Sequence, residues 1–206
     1  MRYDTFHILF IVIFVLFTLV RARYLRHAQQ TRGASTFKEG RTHIGLRLVF
    51  GIPFMTLFFA YLVYPPVLGW FQLDLPAWLR WVGVVLGFSS AGLILWVHRA
   101  LGENFSTVLH VRDEHTLVTS GPYRWVRHPM YSVLYIHGAG LLLTSGNWFI
   151  GGVFLVGLTA VVVPRVAREE GAMLEKFGDE YRRYMERSGR FFPRIGRVTR
   201  SGEKPL

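Results

Sequence analysis

Pro129 to Val163 reads PMYSVLYIHGAGLLLTSGNWFIGGVFLVGLTAVVV, two apolar runs separated only by Ser145, Gly146 and Asn147. A proline at a first helical position, a Gly-Asn turn and an apolar restart at Trp148 predict a helical hairpin. Each arm holds about sixteen apolar positions, at the short end of the roughly 17–25 residues that cross a bilayer as a helix. The arms are expected as tightly paired spanning helices or as a partly re-entrant element.

Outward from the hairpin lie Trp81 to Val97, ending at His98 and Arg99, and Leu46 to Tyr64, closing at Pro65 and Pro66. The first run, Phe6 to Val20, precedes Arg21, Arg23 and Arg26. That apolar-then-basic order reverses the order of a signal peptide, so a retained anchor is expected. With a hydrophobic fraction of 51%, a charged fraction of 18% and a positive mean hydropathy, the expected fold class is all-α integral membrane with about five transmembrane helices.

The basic residues gather in three segments, Arg21 to Arg47, Arg99 to Arg127 and Arg165 to Leu206, whereas Pro65 to Arg80 holds only Arg80. The positive-inside rule makes those three segments cytoplasmic and puts Trp70, Trp78, Trp81 and Trp148 near the opposite interface. Topology therefore accounts for the net charge of +11, and no nucleic-acid partner is expected, because the cations flank apolar spans instead of interleaving with aromatics.

The chain has no cysteine, which excludes disulfides, thiolate metal sites and thiol nucleophiles. Its histidines show no HExxH spacing, so no metal is expected, and no GxGxxG follows a strand to mark a dinucleotide fold. Gly138, Gly140, Gly151 and Gly152 inside apolar runs suit close helix packing. His137 reads either as a hydrogen-bonded core histidine or as a cavity-lining group.

Arg99 to Tyr131, RALGENFSTVLHVRDEHTLVTSGPYRWVRHPMY, is too rich in His, Tyr and Arg for a plain connection, although a solvated loop with interfacial aromatics has the same composition. His128 stands before Pro129, at a helix start whose unpaired backbone donors, with Arg127, suit an anion such as a carboxylate. In PRVAREEGAMLEKFGDEYRRYMERSGRFFP, Pro164 to Pro193, Arg165 and Glu169 are four apart and share a helical face. Taken alone they make an intrahelical ion pair worth roughly 0.3–0.5 kcal/mol. Both also emerge toward the cytoplasmic layer that holds the His115 to Tyr131 loop.

Five elements occur in one order: His115-Thr116-Leu117-Val118, Gly121-Pro122-Tyr123, Arg127-His128-Pro129-Met130-Tyr131, Arg165 ahead of Glu169-Glu170, and Phe177-Gly178-Asp179-Glu180-Tyr181. In this the chain resembles the isoprenylcysteine carboxyl methyltransferase family, most closely its compact prokaryotic members, and the related phospholipid N-methyltransferases. The resemblance implies S-adenosyl-L-methionine as cofactor, bound by His115, Thr116, Leu117, Val118, Tyr123, His128, Pro129, Met130, Tyr131 and Glu169, with His110 adding a contact. It implies Arg165 as the residue that holds the acceptor carboxylate, with Arg165 and Glu169 as the catalytic pair. A lipophilic small molecule or prenyl thioether is then expected to enter from the bilayer, among membrane lipids.

The apolar runs put spans in residues 1–97, the resemblance implies a catalytic core in residues 98–193 with the cytoplasmic carboxyl-terminal helical segment forming the cofactor pocket, and composition predicts a basic, disordered tail in residues 194–206. The expected location is a bacterial inner membrane with the active site facing the cytoplasm. The chemistry suits these residues. Displacement at a sulfonium needs positioning and desolvation, not a covalent nucleophile. A carboxylate acceptor needs an arginine to orient it, whereas an amine acceptor must lose a proton, for which Glu169 or Glu170 is available. Lipid-amine N-methylation is the alternative within the reaction class. An NADPH-dependent membrane reductase and a non-enzymatic membrane component that binds anionic headgroups are the alternatives outside it.

Overall fold

The structure, a computed structural model, describes residues 4–32, 52–101 and 117–194. The Gly-Asn turn forms as its residues require. Gly146 takes a left-handed φ of +60° and its N–H donates to the Leu142 carbonyl at 2.9 Å, ending a helix over Pro129–Ser145. Asn147 caps the next helix, Trp148–Arg187, by accepting from the Ile150 N–H at 3.2 Å, and its side-chain amide donates to the Leu68 carbonyl at 2.9 Å. Ahead of this hairpin lie helices over Thr5–Arg32, Ile52–Val63 and Ala77–Leu101. In chain order these are α1 (Thr5–Arg32), α2 (Ile52–Val63), α3 (Ala77–Leu101), α4 (Pro129–Ser145) and α5 (Trp148–Arg187), with 3-10 helices over Pro65–Phe71 and Gly121–Arg124.

Small residues let α3 and α4 cross at backbone contact. A Cβ added at Gly140 would stand 2.7 Å from the Gly87 nitrogen, so any larger residue there must push the helices apart. From that crossing the helices run antiparallel: Arg80 donates to the Thr144 carbonyl at 3.1–3.2 Å, and Ser90 Oγ lies 3.0 Å from His137 Nδ1. α1 runs parallel to α3, with Asp4 paired to Arg80 at 2.7 Å at one end and Tyr24 packed on His98 at 4.6 Å, ring centre to ring centre, at the other. His137 is a core residue, fully buried and stacked on Phe17 at 3.8 Å. Phe10, Ile13, Leu141 and Ile150 fill the outer half of the core, and Phe17, Ile94, Val97, Leu134, Val162 and Val166 fill the half nearer the polar cluster.

α1 to Arg26, α3 and α5 are long and apolar enough to cross a membrane. The segment Phe54–Val63 with Pro65–Phe71 adds a fourth if it counts as one span broken by a 119° bend. The chain is thus an all-helical, multi-pass integral membrane protein, with three or four qualifying spans among the described residues instead of five. Two physical reasons account for the difference. Pro65 and Pro66 turn the chain after the 12 residues of α2, and α4, at 17 residues, rises only about 26 Å against a hydrocarbon core of roughly 30 Å. Part of the expected Leu46 to Tyr64 run lies outside the described residues.

The expected fifth span and the polar segment after it form one helix, broken only at Gly178, where φ is +48° and ψ is −120°. On a straight helix Glu170 and Met185 would be about 22 Å apart, yet the Arg127 side chain bonds both the Glu170 carboxylate and the Met185 carbonyl. The chain therefore doubles back at Gly178. It then pairs with the approach to α4: Gly189 N–H donates to the Trp125 carbonyl at 2.9 Å, Arg127 N–H to Gly189 at 2.8 Å and His128 N–H to Arg190 at 3.0 Å. This short parallel pairing fixes the backbone on which His128 sits.

Candidate active site

α4 supplies His128 at its amino-terminal cap and Tyr131 three residues on, while α5, antiparallel to it, supplies Arg165, Glu169 and Glu170. The four-residue spacing puts Arg165 Nε 2.8 Å from Glu169 Oε1, and the Tyr131 hydroxyl donates to the same oxygen at 2.8 Å. Neighbours on a helix point about 100° apart, so Glu170 faces a different quarter. There it receives Arg127 Nε at 3.1 Å and the Arg190 guanidinium. His128 lies between the two carboxylates, Nδ1 3.5 Å from Glu169 Oε2 and Nε2 3.4 Å from Glu170 Oε1. Tyr131 and Phe191 flank its ring at 5.8 and 6.1 Å.

Burial alone would raise the pKa of the Glu169 carboxyl, but hydrogen bonds from His128, Arg165 and Tyr131 outweigh it and hold the group below the ordinary carboxylate range. Glu170 behaves the same way, with Arg190 and Arg127 overcoming its burial. Burial pushes the Tyr184 phenol up to about 12, and its hydroxyl donates to the Tyr123 carbonyl at 2.7 Å. The Tyr123 phenol is also raised, first by burial and then by the nearby Tyr184, Glu169 and Tyr131. The cluster thus keeps two anions and several neutral phenols at neutral pH.

Of the residues singled out in the sequence, the structure brings together His128, Tyr131, Arg165 and Glu169, with Tyr123 alongside. Pro129 is buried in the first turn of α4, and Met130 packs against the inner core. Leu117 and Val118 are half-buried on the approach to the Gly121–Arg124 turn, whereas His110, His115 and Thr116 lie outside the described residues. One expectation is corrected. Arg127 does not stand ready for an anion beside His128, because its guanidinium is taken up by Glu170 and by the Met185 and Ser188 carbonyls. The sequence marks Glu170 as the second acid of the pair and an available base, but not its partners Arg127 and Arg190. The legible signal was an acidic pair following a dense basic loop, which leaves the second acid in need of its own cation once buried.

Residues 81–175 match the isoprenylcysteine carboxyl methyltransferase (ICMT) family. Through this stretch the chain is similar to that family. It is 31% identical over 120 residues to the protein-S-isoprenylcysteine O-methyltransferase of Rattus norvegicus, covering 57% of this chain and 42% of the relative. It is 32% identical over 88 residues to the Schizosaccharomyces pombe enzyme of the same name, covering 42% and 37%. The cobalt-zinc-cadmium resistance protein CzcN of Cupriavidus metallidurans is 37% identical over 84 residues, 41% of this chain and 38% of that protein. The matched part thus spans less than half the length of each of these relatives. The fold is similar to that of a eukaryotic intramembrane Ras methyltransferase ICMT, with a TM-score of 0.61 and 21% identity over 90% of this chain and 67% of that one. Tyr123, His128, Tyr131, Arg165, Glu169 and Glu170 all fall within the ICMT-matched residues, whereas Arg190 and the segment that carries it follow them.

Proposed function

We propose that this chain is an S-adenosylmethionine-dependent methyltransferase of the membrane that O-methylates the carboxylate of an isoprenylcysteine-like or other lipophilic acceptor. The observation that carries this reading is the convergence of Tyr131, His128 and Arg165 on Glu169 at the polar end of a membrane hairpin, within the ICMT-matched residues. In this reading α2 with its bent continuation and α4 complete five passages, and the polar end faces the cytoplasm of a bacterial inner-membrane protein, as the basic segments require.

The residues fit such a cofactor. Glu169, held as an anion by three donors, complements its ammonium and sulfonium charge, and the aromatic faces of Tyr123, Tyr131 and Phe191 suit a sulfonium. The positive end of the α4 dipole at this first turn suits its carboxylate. When bound, it supplies an activated methyl group. Arg165 orients the acceptor carboxylate in line with that methyl, and Glu169 fixes the Arg165 guanidinium while facing the cofactor. Exclusion of water by the inner core strengthens both interactions.

The test is methyl-ester formation by detergent-purified protein from S-adenosylmethionine and N-acetyl-S-farnesylcysteine, with phosphatidylethanolamine offered in parallel. A base-labile methyl ester is expected. Methylation of the lipid amine alone would move the activity to N-methylation, and methylation of neither acceptor, with no cofactor binding, would overturn the reading.

A further inference from the structure

Phe17, Arg21 and Tyr24 occupy one face of α1, within an arc of about 60° at 100° per residue. Both aromatic members of that face are fixed against the core. Phe17 stacks on His137 of α4 at 3.8 Å, and Tyr24 packs on His98 of α3 at 4.6 Å. Arg21 stands between them and is half-buried, whereas its neighbours Arg23 and Arg26 are exposed. Because α1 and α4 run antiparallel, the step from Phe17 to Arg21 matches the step from His137 toward Tyr131, and Arg21 comes within electrostatic reach of Tyr131 and Arg165.

The charges in this corner do not balance. Glu169 is already held by Arg165, Tyr131 and His128, and among the described residues no carboxylate pairs with Arg21. Arg21 and Arg165 are both electrostatically coupled to Tyr131, and of the two Arg165 is the one paired with a carboxylate. Placing like charges in a half-buried site is unfavourable unless an anion lies between them.

We infer that Arg21, on the first helix and outside the family-matched residues, is a second substrate-binding arginine that clamps the acceptor's carboxylate together with Arg165. The inference rests on the carboxylate-acceptor reading above and deepens it. Arg21 sets specificity for an acidic over a neutral lipophile, while Arg23 and Arg26 serve the membrane surface.

The experiment uses full-length protein, S-adenosylmethionine and N-acetyl-S-farnesylcysteine, with the carboxamide of that acceptor as competitor. Wild type, Arg21→Ala, Arg21→Lys and Arg23→Ala are compared. Arg21→Ala should raise the acceptor KM by about tenfold or more and narrow the preference for carboxylate over carboxamide, with cofactor affinity within about twofold. Arg21→Lys should recover part of the loss, and Arg23→Ala should behave as wild type. An unchanged acceptor KM in Arg21→Ala, or a parallel fall in cofactor affinity, overturns the inference while leaving the activity in place. A wild-type protein that methylates no carboxylate overturns the activity itself, and the clamp with it.

Discussion

Tyr131 and Glu169, on neighbouring helices and 38 positions apart, are joined by a 2.8 Å hydrogen bond from the phenol to the carboxylate oxygen that Arg165 also contacts. That shared oxygen links the residue assigned to the acceptor with those assigned to the cofactor. It also separates the roles experimentally, because each partner can be removed without deleting the carboxylate.

Arg165→Ala should raise the acceptor KM or lower turnover by about 10- to 100-fold, the loss of one charge-assisted contact worth roughly 1.5–3 kcal/mol, while cofactor affinity stays near wild type. Steady-state kinetics with both substrates varied would check this. Equal losses for cofactor and acceptor would reject the division of roles.

Glu170→Ala should act on stability. The Glu170 side chain is 7% exposed and that of Arg127 9%, so the substitution strands a buried guanidinium and should cost about 3–5 kcal/mol. Arg190, whose side chain is 53% exposed, contributes an ion pair worth about 0–1 kcal/mol, and Arg190→Ala should lower the melting temperature far less. Thermal unfolding in detergent distinguishes the two.

Gly178→Ala should loosen the doubled-back end of α5. With φ at +48° and ψ at −120°, the backbone there strains any residue with a Cβ, at roughly 1–3 kcal/mol, although the added carbon has open space around it. Faster amide exchange over residues 188–190, with the α3 and α4 crossing unaffected, is the expected signature.

Acidification should unfold the cluster in a defined direction. Both Glu169 and Glu170 have folded pKa values below the ordinary carboxylate value of about 4.3, so their stabilisation is fully present above that value. It is lost as pH falls through the lowered folded values. Melting temperature should therefore be flat in this respect near neutrality and decline on the acid side, with a shallower decline in Glu170→Gln.

The hairpin was legible because its signals are local: Pro129 to start a helix, Gly146 and Asn147 to turn, and apolar arms of near-equal length. The Arg165 and Glu169 pairing was legible for the same reason, since four residues is one helical turn. The partners of Glu170 were not, because Arg127 is 43 positions before it, across the hairpin, and Arg190 is 20 after it, joined only through the reversal at Gly178. A glycine inside a long helical pattern marks such a break, but not the angle or the destination. Arg21 read as a topology marker because its electrostatic coupling to Tyr131 and Arg165 exists only once α1 is packed on α4.

The most direct measurement is calorimetric titration of detergent-purified wild type and Glu169→Gln with S-adenosylmethionine, and with NADPH in parallel. Binding of S-adenosylmethionine by wild type, weakened about tenfold or more in Glu169→Gln, with no binding of NADPH, is the predicted result. A preference for NADPH, or S-adenosylmethionine binding indifferent to the substitution, would contradict the assignment of this cluster as a methyl-transfer site.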